Sequence, residues 1–391
     1  MPFDPWLKFH FPATVEFGAG CVRSIGLRLR GLGGQRPLVV SDSGVAEAGL
    51  LAPVVQSIEE AGARPTLWPE VRCNPTDRHV YAGTVRYREE RCDSIVAVGG
   101  GSVMDVAKAV RILVAHPNPL PELYADAGGT ERIGRPMPRL ISVPTTAGTG
   151  SEVTRVAVIG DSATHRKRIL AHPRMTSTIA MLDPLLTLGL PPALTAATGA
   201  DALAHCVEAY LSTAFHPIAD GIALEGVRLV RHNLPIVLSS PSDPDARGKM
   251  LLGACMGGLA GQKGGGAGHS LAHPLSEMAG VSHGLANALV LPYVMEFNRG
   301  HAAARLAEVG RAMGASVGDM SPEAAAGAAV ESVHAFVRGL GLPKSLAEMG
   351  VRREQIPELA AAAIADRSHV TNPRPCTEED MERLYLAAYE G

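Results

Sequence analysis

Asp93-Ser94-Ile95-Val96-Ala97-Val98-Gly99-Gly100-Gly101-Ser102 joins a short, β-branched apolar run to a glycine stop. The run is brief and closed by residues that interrupt regular structure, so it reads as a buried strand. An apolar-periodic helix from Val103 to Ala115 follows directly. A strand that passes through bare glycines into a helix gathers free backbone N–H groups and the positive end of a helix dipole at one point, which suits a phosphate. Ser102 can cap that helix or bind the phosphate. Gly99, Gly100, Gly101 and Ser102 alone are equally compatible with a tight turn that holds no ligand, and they are not a Gly-x-Gly-x-x-Gly fingerprint.

The same alternation extends on both sides. Ala13 to Gly18 suits an edge strand or hairpin arm, Arg36 to Asp42 a buried strand, Pro65 to Pro69 a short strand, and Arg139 to Val143 a further strand closed by Pro144. A helix is expected between the first two strands, with others over Gly49 to Ala63 and His79 to Arg91. Strands alternating with helices favour a parallel, doubly wound sheet, whose ligands bind at the carboxyl ends of the strands. Two more loops emerge at that edge. In Ser41-Asp42-Ser43, the Asp42 carboxylate either caps a helix or accepts hydrogen bonds from an adenosine ribose, where its charge disfavours a 2′-phosphate and so favours NAD over NADP. The run from Pro144 to Glu152, which includes Thr145, Thr146 and Thr149, is either a ligand loop or a flexible surface loop.

Past Gly189-Leu190-Pro191-Pro192 strand-like runs cease, and Ala, Leu and Gly recur at helical spacing to the end of the chain. A division into an α/β part, 1–189, and a nearly all-helical part, 190–391, follows. Helices are expected over residues 198–213, 217–238, 246–261, 269–279, 284–297, 302–313, 321–340 and 355–365.

Composition narrows the function. With 391 residues, two domains are the default expectation. A net charge of −3 from 36 basic and 39 acidic residues offers no general attraction to nucleic acid or to a membrane surface. Aromatic residues make up only 4%, too few for a base-stacking platform. The start, Met1-Pro2-Phe3-Asp4-Pro5-Trp6, lacks the pattern of a signal peptide, and six scattered cysteines suit free thiols in a reducing compartment. A soluble, cytoplasmic protein is the expectation.

The second half holds two pairs at i, i+4, Asp201 with His205 and His269 with His273, and an outlying His283. On a helix each pair projects from one face, and carboxylate plus imidazole donors suit a divalent transition metal. A lone pair of this kind would more often be packed or solvated. Two pairs and a third histidine in Gly/Ala-rich helices tip the reading toward a metal site. Five candidates exceed the four of a closed site, and the surplus one, for which His273 is the first choice, becomes available for proton transfer. Pro274 disfavours α geometry at His273 and is expected to displace it from the line of His269. Glu208, seven residues after Asp201, either braces the ligand face or is solvated, whereas Cys206 points off that face.

The segments Gly199 to His205, Gly268 to Leu275 and Ser282 to Ala288, with Gly99 to Ser102, Asp105, Lys108 and Pro144 to Glu152, resemble the signatures of the iron-dependent (group III) alcohol dehydrogenase family in order and spacing over nearly the whole chain. The resemblance implies a Rossmann-like nucleotide-binding α/β domain followed by an all-α metal-binding domain, the dehydroquinate synthase-like architecture, with the active site in the cleft between them. It implies Fe²⁺ on Asp201, His205, His269 and His283, with Zn²⁺ possible on the same donors. It implies His273 beside substrate and nicotinamide, and NAD(H) contacts from Asp42, Asn74, Gly99, Gly100, Gly101, Ser102, Asp105, Thr145, Thr146, Thr149 and Lys167. Spacing alone would leave Lys167 a solvated charge.

Family members with a Gln-Lys-Gly run carry an aromatic ahead of it, where this chain has Ala260-Gly261, so a more open pocket wall is expected. Lys263 in that run either favours an anionic substrate or snorkels to the surface. The expected activity is hydride transfer between nicotinamide and a small alcohol or aldehyde, in a homodimer or larger homo-oligomer. A metal- and NAD-dependent lyase or synthase of the same architecture, or a non-catalytic metal-binding protein, is the alternative.

Overall fold

A computed structural model of the chain describes residues 13–164 and 166–391, so the reading of Met1 to Trp6 falls outside the described residues. The first half contains β1 (Thr14–Phe17), α1 (Ile25–Gly31), β2 (Pro37–Asp42), α2 (Ser43–Glu47), α3 (Ala52–Glu60), β3 (Thr66–Val71), α4 (Asp77–Glu89), β4 (Ser94–Gly99), α5 (Gly101–Ala115), β5 (Arg139–Pro144), β6 (Val156–Asp161), β7 (Arg166–Ala171) and β8 (Ile179–Leu182). Six strands form one parallel sheet in the order β1-β8-β5-β4-β2-β3, while β6 and β7 form a separate antiparallel pair.

Side-chain alternation decides how this sheet is covered. Leu38, Val40, Ile95 and Ala97 pack on one face with Val80 of α4 and Met104 of α5. Their neighbours Val39, Val96 and Val98 pack on the other with Ile25 of α1 and Ile58 of α3. Both faces are therefore apolar, as a parallel sheet with helices on each side requires. The chain runs outward from β2 to β3, then returns to β4 on the other side of β2 and continues to β5. The crevice between the carboxyl ends of β2 and β4 is thus a topological switch point, and Asp42 and the Gly99–Ser102 turn flank it.

Three strands escape the sequence reading. β8 is only four residues long and lies between β1 and β5; its alternate residues Ala180 and Leu182 join the helical core while Ile179 and Met181 join the sheet core. So short an apolar run carries no period that separates strand from helix. β7 opens with Arg166, Lys167 and Arg168, which masks its pairing with β6, and Asp161 closes the turn between them by accepting from the N–H groups of Ala163 and Thr164.

The second half is helical: α6 (Pro192–Leu211), α7 (Pro217–Ser239), α8 (Pro244–Ala260), α9 (Ala267–Met278), α10 (His283–Ala312), α11 (Pro322–Arg338), α12 (Ile356–Ala365) and α13 (Glu378–Glu390). Helix α6 starts with prolines at its first turn, where a missing N–H is harmless. The two helices expected over 284–297 and 302–313 follow one another within α10, divided by a kink where Ala302 leaves helical geometry (φ −136°, ψ 26°). Helix α9 runs through Pro274, as the helix expected over 269–279 requires, but His273 is not displaced as expected and stays in helical register with His269. Helix α2 is the one that Asp42 was expected to cap on its alternative reading, whereas α13 was not anticipated. No helix among the described residues is long and apolar enough to cross a membrane.

Candidate metal and dinucleotide site

Helix α6 presents Asp201, His205 and Glu208, helix α9 presents His269 and His273, and α10 begins at His283. Glycines allow these helices to meet. A Cβ on Gly284 would lie 2.4 Å from the Ala197 carbonyl oxygen, and one on Gly268 would lie 2.8 Å from Glu208 Oε1, so neither position accepts a larger residue without movement.

One donor atom each from Asp201, His205, His269 and His283 lies within 4.8 Å of the others. His205 Nε2 and His269 Nε2 are 3.4 Å apart, Asp201 Oδ2 is 3.7 Å from His205 Nε2, and Asp201 Oδ1 is 3.6 Å from His283 Nε2. Two donors held about 2.1 Å from a shared tetrahedral ion are about 3.4 Å apart, so this donor set fits a divalent transition metal. Ligation requires neutral imidazoles. Burial, reinforced by His269, lowers His205 to about 4. Burial, then the neighbouring His273 and His269, pushes His283 well below the usual range.

Glu208 braces the cluster. Its Oε1 accepts from the Gly268 N–H at 2.6 Å and its Oε2 accepts from His269 Nδ1. Burial acts to lower the His269 pKa, but the carboxylates of Glu208 first, then Asp201 and Asp366, together outweigh it and the net shift is upward. With Nδ1 committed to Glu208, Nε2 is the nitrogen turned to the other donors. Asn287, missed in the sequence, donates from Nδ2 to Asp201 Oδ1 at 2.7 Å and lies 3.2 Å from His283 Nε2. Its signal was present, since it lies four residues after His283 on the same helix.

His273 stands beside this group. Its ring stacks on His283 at 5.3 Å and lies 6.1 Å from that of His269, while its Nδ1 meets Asp366 Oδ2 at 2.7 Å. Burial acts to raise the Asp366 carboxyl, but His273 and the Ser368 hydrogen bonds hold it well below the usual range. Nothing in the sequence marked Asp366. Cys206 points away, toward the Gly253 carbonyl, as expected.

A cavity of about 1130 Å³ joins the two halves. Asp201, His205, His269, His273 and His283 line it together with Asp42, Asn74, Gly100, Gly101, Ser102, Asp105, Thr146, Thr149 and Lys167. Gly100 is the N-cap of α5 and provides no side-chain cap, so Ser102 does not cap the helix and the first-turn N–H groups have no side-chain cap. Asp42 takes its alternative role as well, accepting from the Val45 N–H at 2.9 Å to cap α2 while lining the cavity. Asn74 adopts φ 52°; its amide donates to the Ser276 carbonyl on α9 at 3.4 Å and accepts from Lys167 Nζ at 3.4 Å. Burial lowers the Lys167 pKa, with Glu277 opposing.

Gly99, Thr145, Asp105 and Lys263 are each held by other groups of the protein. Gly99 and Thr145 do not line the cavity: Gly99 closes β4, where a Cβ would strike Val103, and its carbonyl accepts from the Thr145 N–H, continuing the β4–β5 pairing. Both Asp105 oxygens are engaged by the protein, one accepting from Ser151 Oγ at 2.6 Å and the other from the Val158 N–H at 3.0 Å, so Asp105 anchors the loop after β5. Lys263 neither faces the cavity nor snorkels. It is buried, paired with Asp220 at 2.6 Å and donating to the Tyr210 carbonyl at 3.1 Å, because a buried ammonium requires both a counter-charge and acceptors.

The fold and the site together place a glycine turn at the switch point of a parallel sheet and four donors of metal-binding type on one cavity. The chain matches the family described as iron-containing alcohol dehydrogenase over residues 12–184, and its C-terminal part over residues 195–389. It is 34% identical over 378 residues to NAD-dependent methanol dehydrogenase of Bacillus methanolicus, covering 96% of this chain and 98% of that one. It is 38% identical over 390 residues to 4-hydroxybutyrate dehydrogenase of Cupriavidus necator, with coverage of 96% and 98%. The crystal structure of a 1,3-propanediol oxidoreductase superposes with a TM-score of 0.94 at 33% identity, over 98% of this chain and 100% of that one. The chain belongs to the iron-containing alcohol dehydrogenase family. It is a metal-dependent, nicotinamide-linked oxidoreductase acting on alcohols and carbonyl compounds.

Proposed function

We propose that the chain transfers hydride reversibly between NAD(H) and a small primary or secondary alcohol or its carbonyl partner. In this reading residues 1–189 hold the dinucleotide and residues 190–391 hold the metal on Asp201, His205, His269 and His283. The observation that carries it is the convergence of those four donors on a cavity that the Gly100–Ser102 turn and Asp42 also line. A divalent ion held there supplies Lewis acidity to a substrate oxygen, and the nicotinamide supplies or accepts the hydride.

The remaining work falls to side chains. Gly100, Gly101 and Ser102 offer N–H groups at the start of α5 to the pyrophosphate. Thr146 and Thr149 flank that turn, and Lys167 with Asn74 lies toward α9. Glu208 and Asn287 orient the donors His269 and Asp201. His273 exchanges the proton of the substrate hydroxyl with solvent, directly or through a water and a ribose hydroxyl. One carboxylate and three imidazoles accept Fe²⁺ and Zn²⁺ alike, and family membership favours iron. The near-even charge balance and free, scattered cysteines support a cytoplasmic setting. A homodimer or larger assembly is proposed on family membership alone.

Metal analysis of anaerobically purified protein, with absorbance at 340 nm over a panel of alcohols and aldehydes, tests the reading. Bound metal and metal-dependent NAD(H) turnover are expected; metal without turnover on any member would overturn it. Coenzyme choice has its own test in Asp42→Ser, which keeps an oxygen to cap α2. Removing the charge is expected to raise the NADP⁺/NAD⁺ ratio of kcat/KM about tenfold, the equivalent of about 1.4 kcal/mol. An unchanged ratio would remove Asp42 from coenzyme selection.

A further inference from the structure

Asp366 belongs neither to the four-donor cluster nor to the dinucleotide wall, yet its carboxylate is aimed and held. It ends α12 and caps the short turn Arg367–Thr371, with Oδ1 accepting from the Ser368 N–H at 2.8 Å and from Ser270 Oγ at 3.2 Å. Ser270 Oγ accepts in turn from the His369 N–H at 2.9 Å, which ties the turn to α9 beside His273. These contacts leave Oδ2 to meet His273 Nδ1 at 2.7 Å. Both side chains are largely buried, at 12% and 15% exposure, so water competes weakly for this bond.

We infer that Asp366 is a positioning residue for the reaction: it fixes the His273 ring and its tautomer, so that Nδ1 carries the hydrogen and Nε2 presents its lone pair to the substrate hydroxyl. The inference rests on the functional reading above. An ionised carboxylate only accepts hydrogen bonds, so its partner nitrogen must donate. In neutral imidazole the other nitrogen is then the acceptor. Stacking of the ring on His283 restrains its remaining rotation, and His273 lines the same cavity as the four donors. Without Asp366, either nitrogen could hold the hydrogen and part of the neutral population would present the wrong one.

The test uses Asp366→Asn and Asp366→Glu in the full chain. Asparagine caps a turn as well as aspartate does, so the Arg367–Thr371 turn should persist. Its NH₂ group can donate to Nδ1, however, and thereby stabilise the Nε2–H tautomer. The expected result for Asp366→Asn is a kcat lowered about 100-fold, within the usual contribution of a positioned acid–base group. KM for NAD⁺ and metal content should stay within about twofold, and Asp366→Glu should recover at least about tenfold of the loss, since it restores an accepting carboxylate. Long-range ¹⁵N–¹H correlation of histidine-labelled, Zn²⁺-loaded protein should show Nδ1–H at His273 in the wild type and Nε2–H in Asp366→Asn, the resonances being identified by their loss in His273→Asn. Wild-type kcat in Asp366→Asn, loss of metal in both variants, or an Nε2–H tautomer in the wild type would each overturn the inference. A wild type without NAD(H)-linked turnover would sink the functional reading instead, and the tautomer spectrum would still decide the Asp366 assignment.

Discussion

His269→Ala is expected to lose bound metal and to lower kcat by about 10³-fold or more. His269 is the hub of the cluster. Its Nε2 lies 3.4 Å from His205 Nε2 and 3.4 Å from the Asn287 amide, and its Nδ1 donates to Glu208. Truncation removes one of four donors and leaves Glu208, 3% exposed, without its imidazole partner, so the two effects reinforce each other. Metal content of the purified variant and steady-state kinetics under metal saturation read the two effects separately. Retention of metal with full activity would show that the four-donor assignment is wrong.

Gly258→Ala is expected to destabilise the protein by about 3 kcal/mol and to raise KM for NAD⁺. A Cβ at Gly258 would lie 2.5 Å from the Gly150 carbonyl oxygen and 2.9 Å from the Gly150 C and Cα. Both sides of this contact are backbone, and Gly150 sits at φ 60°, a left-handed geometry that only the loop's own path maintains. Relief would have to come from the loop after β5, displacing Thr149, which meets the Gly101 turn. Gly221→Ala is the control, because a Cβ there meets nothing within 4 Å, the residue lies within helix α7 and it does not line the cavity. Urea denaturation and NAD⁺ titration of the two variants should separate cleanly. Equal stability would mean that α8 and the loop do not pack as tightly as these distances require.

How much of this could be read beforehand depended on how local the cause was. Asp201, His205 and Glu208 lie on one uninterrupted helix, so their shared face followed from 3.6-residue periodicity. The glycine turn after β4 was equally legible, since strand, stop and helix are contiguous. Asn287 was within reach by the same periodicity from His283. Asp366 was not, because 93 residues separate it from His273 and its own surroundings read as an alanine-rich helix end. β8 was hidden by its length and Lys263 by its charge, which sequence alone assigns to solvent. Pro274 misled in the opposite sense, as the flanking helix tolerates it.

The sequence by itself determined the alternation of strand and helix, the glycine turn, and the pairing of donors at i, i+4, because each is set by dihedral preference or helical pitch over a few residues. The sequence also named His273 as the surplus among five candidate donors; only the tertiary structure decided how the other four converge and what holds His273 apart. The packing of α6, α9 and α10 brings Asp201, His205, His269 and His283 within 4.8 Å, while Asp366 takes the Nδ1 of His273 and leaves that ring at the edge of the group. The physical reason is one of range: a hydrogen bond or a shared ion acts over about 3 Å in space, and no local pattern records which distant residue will arrive at that distance.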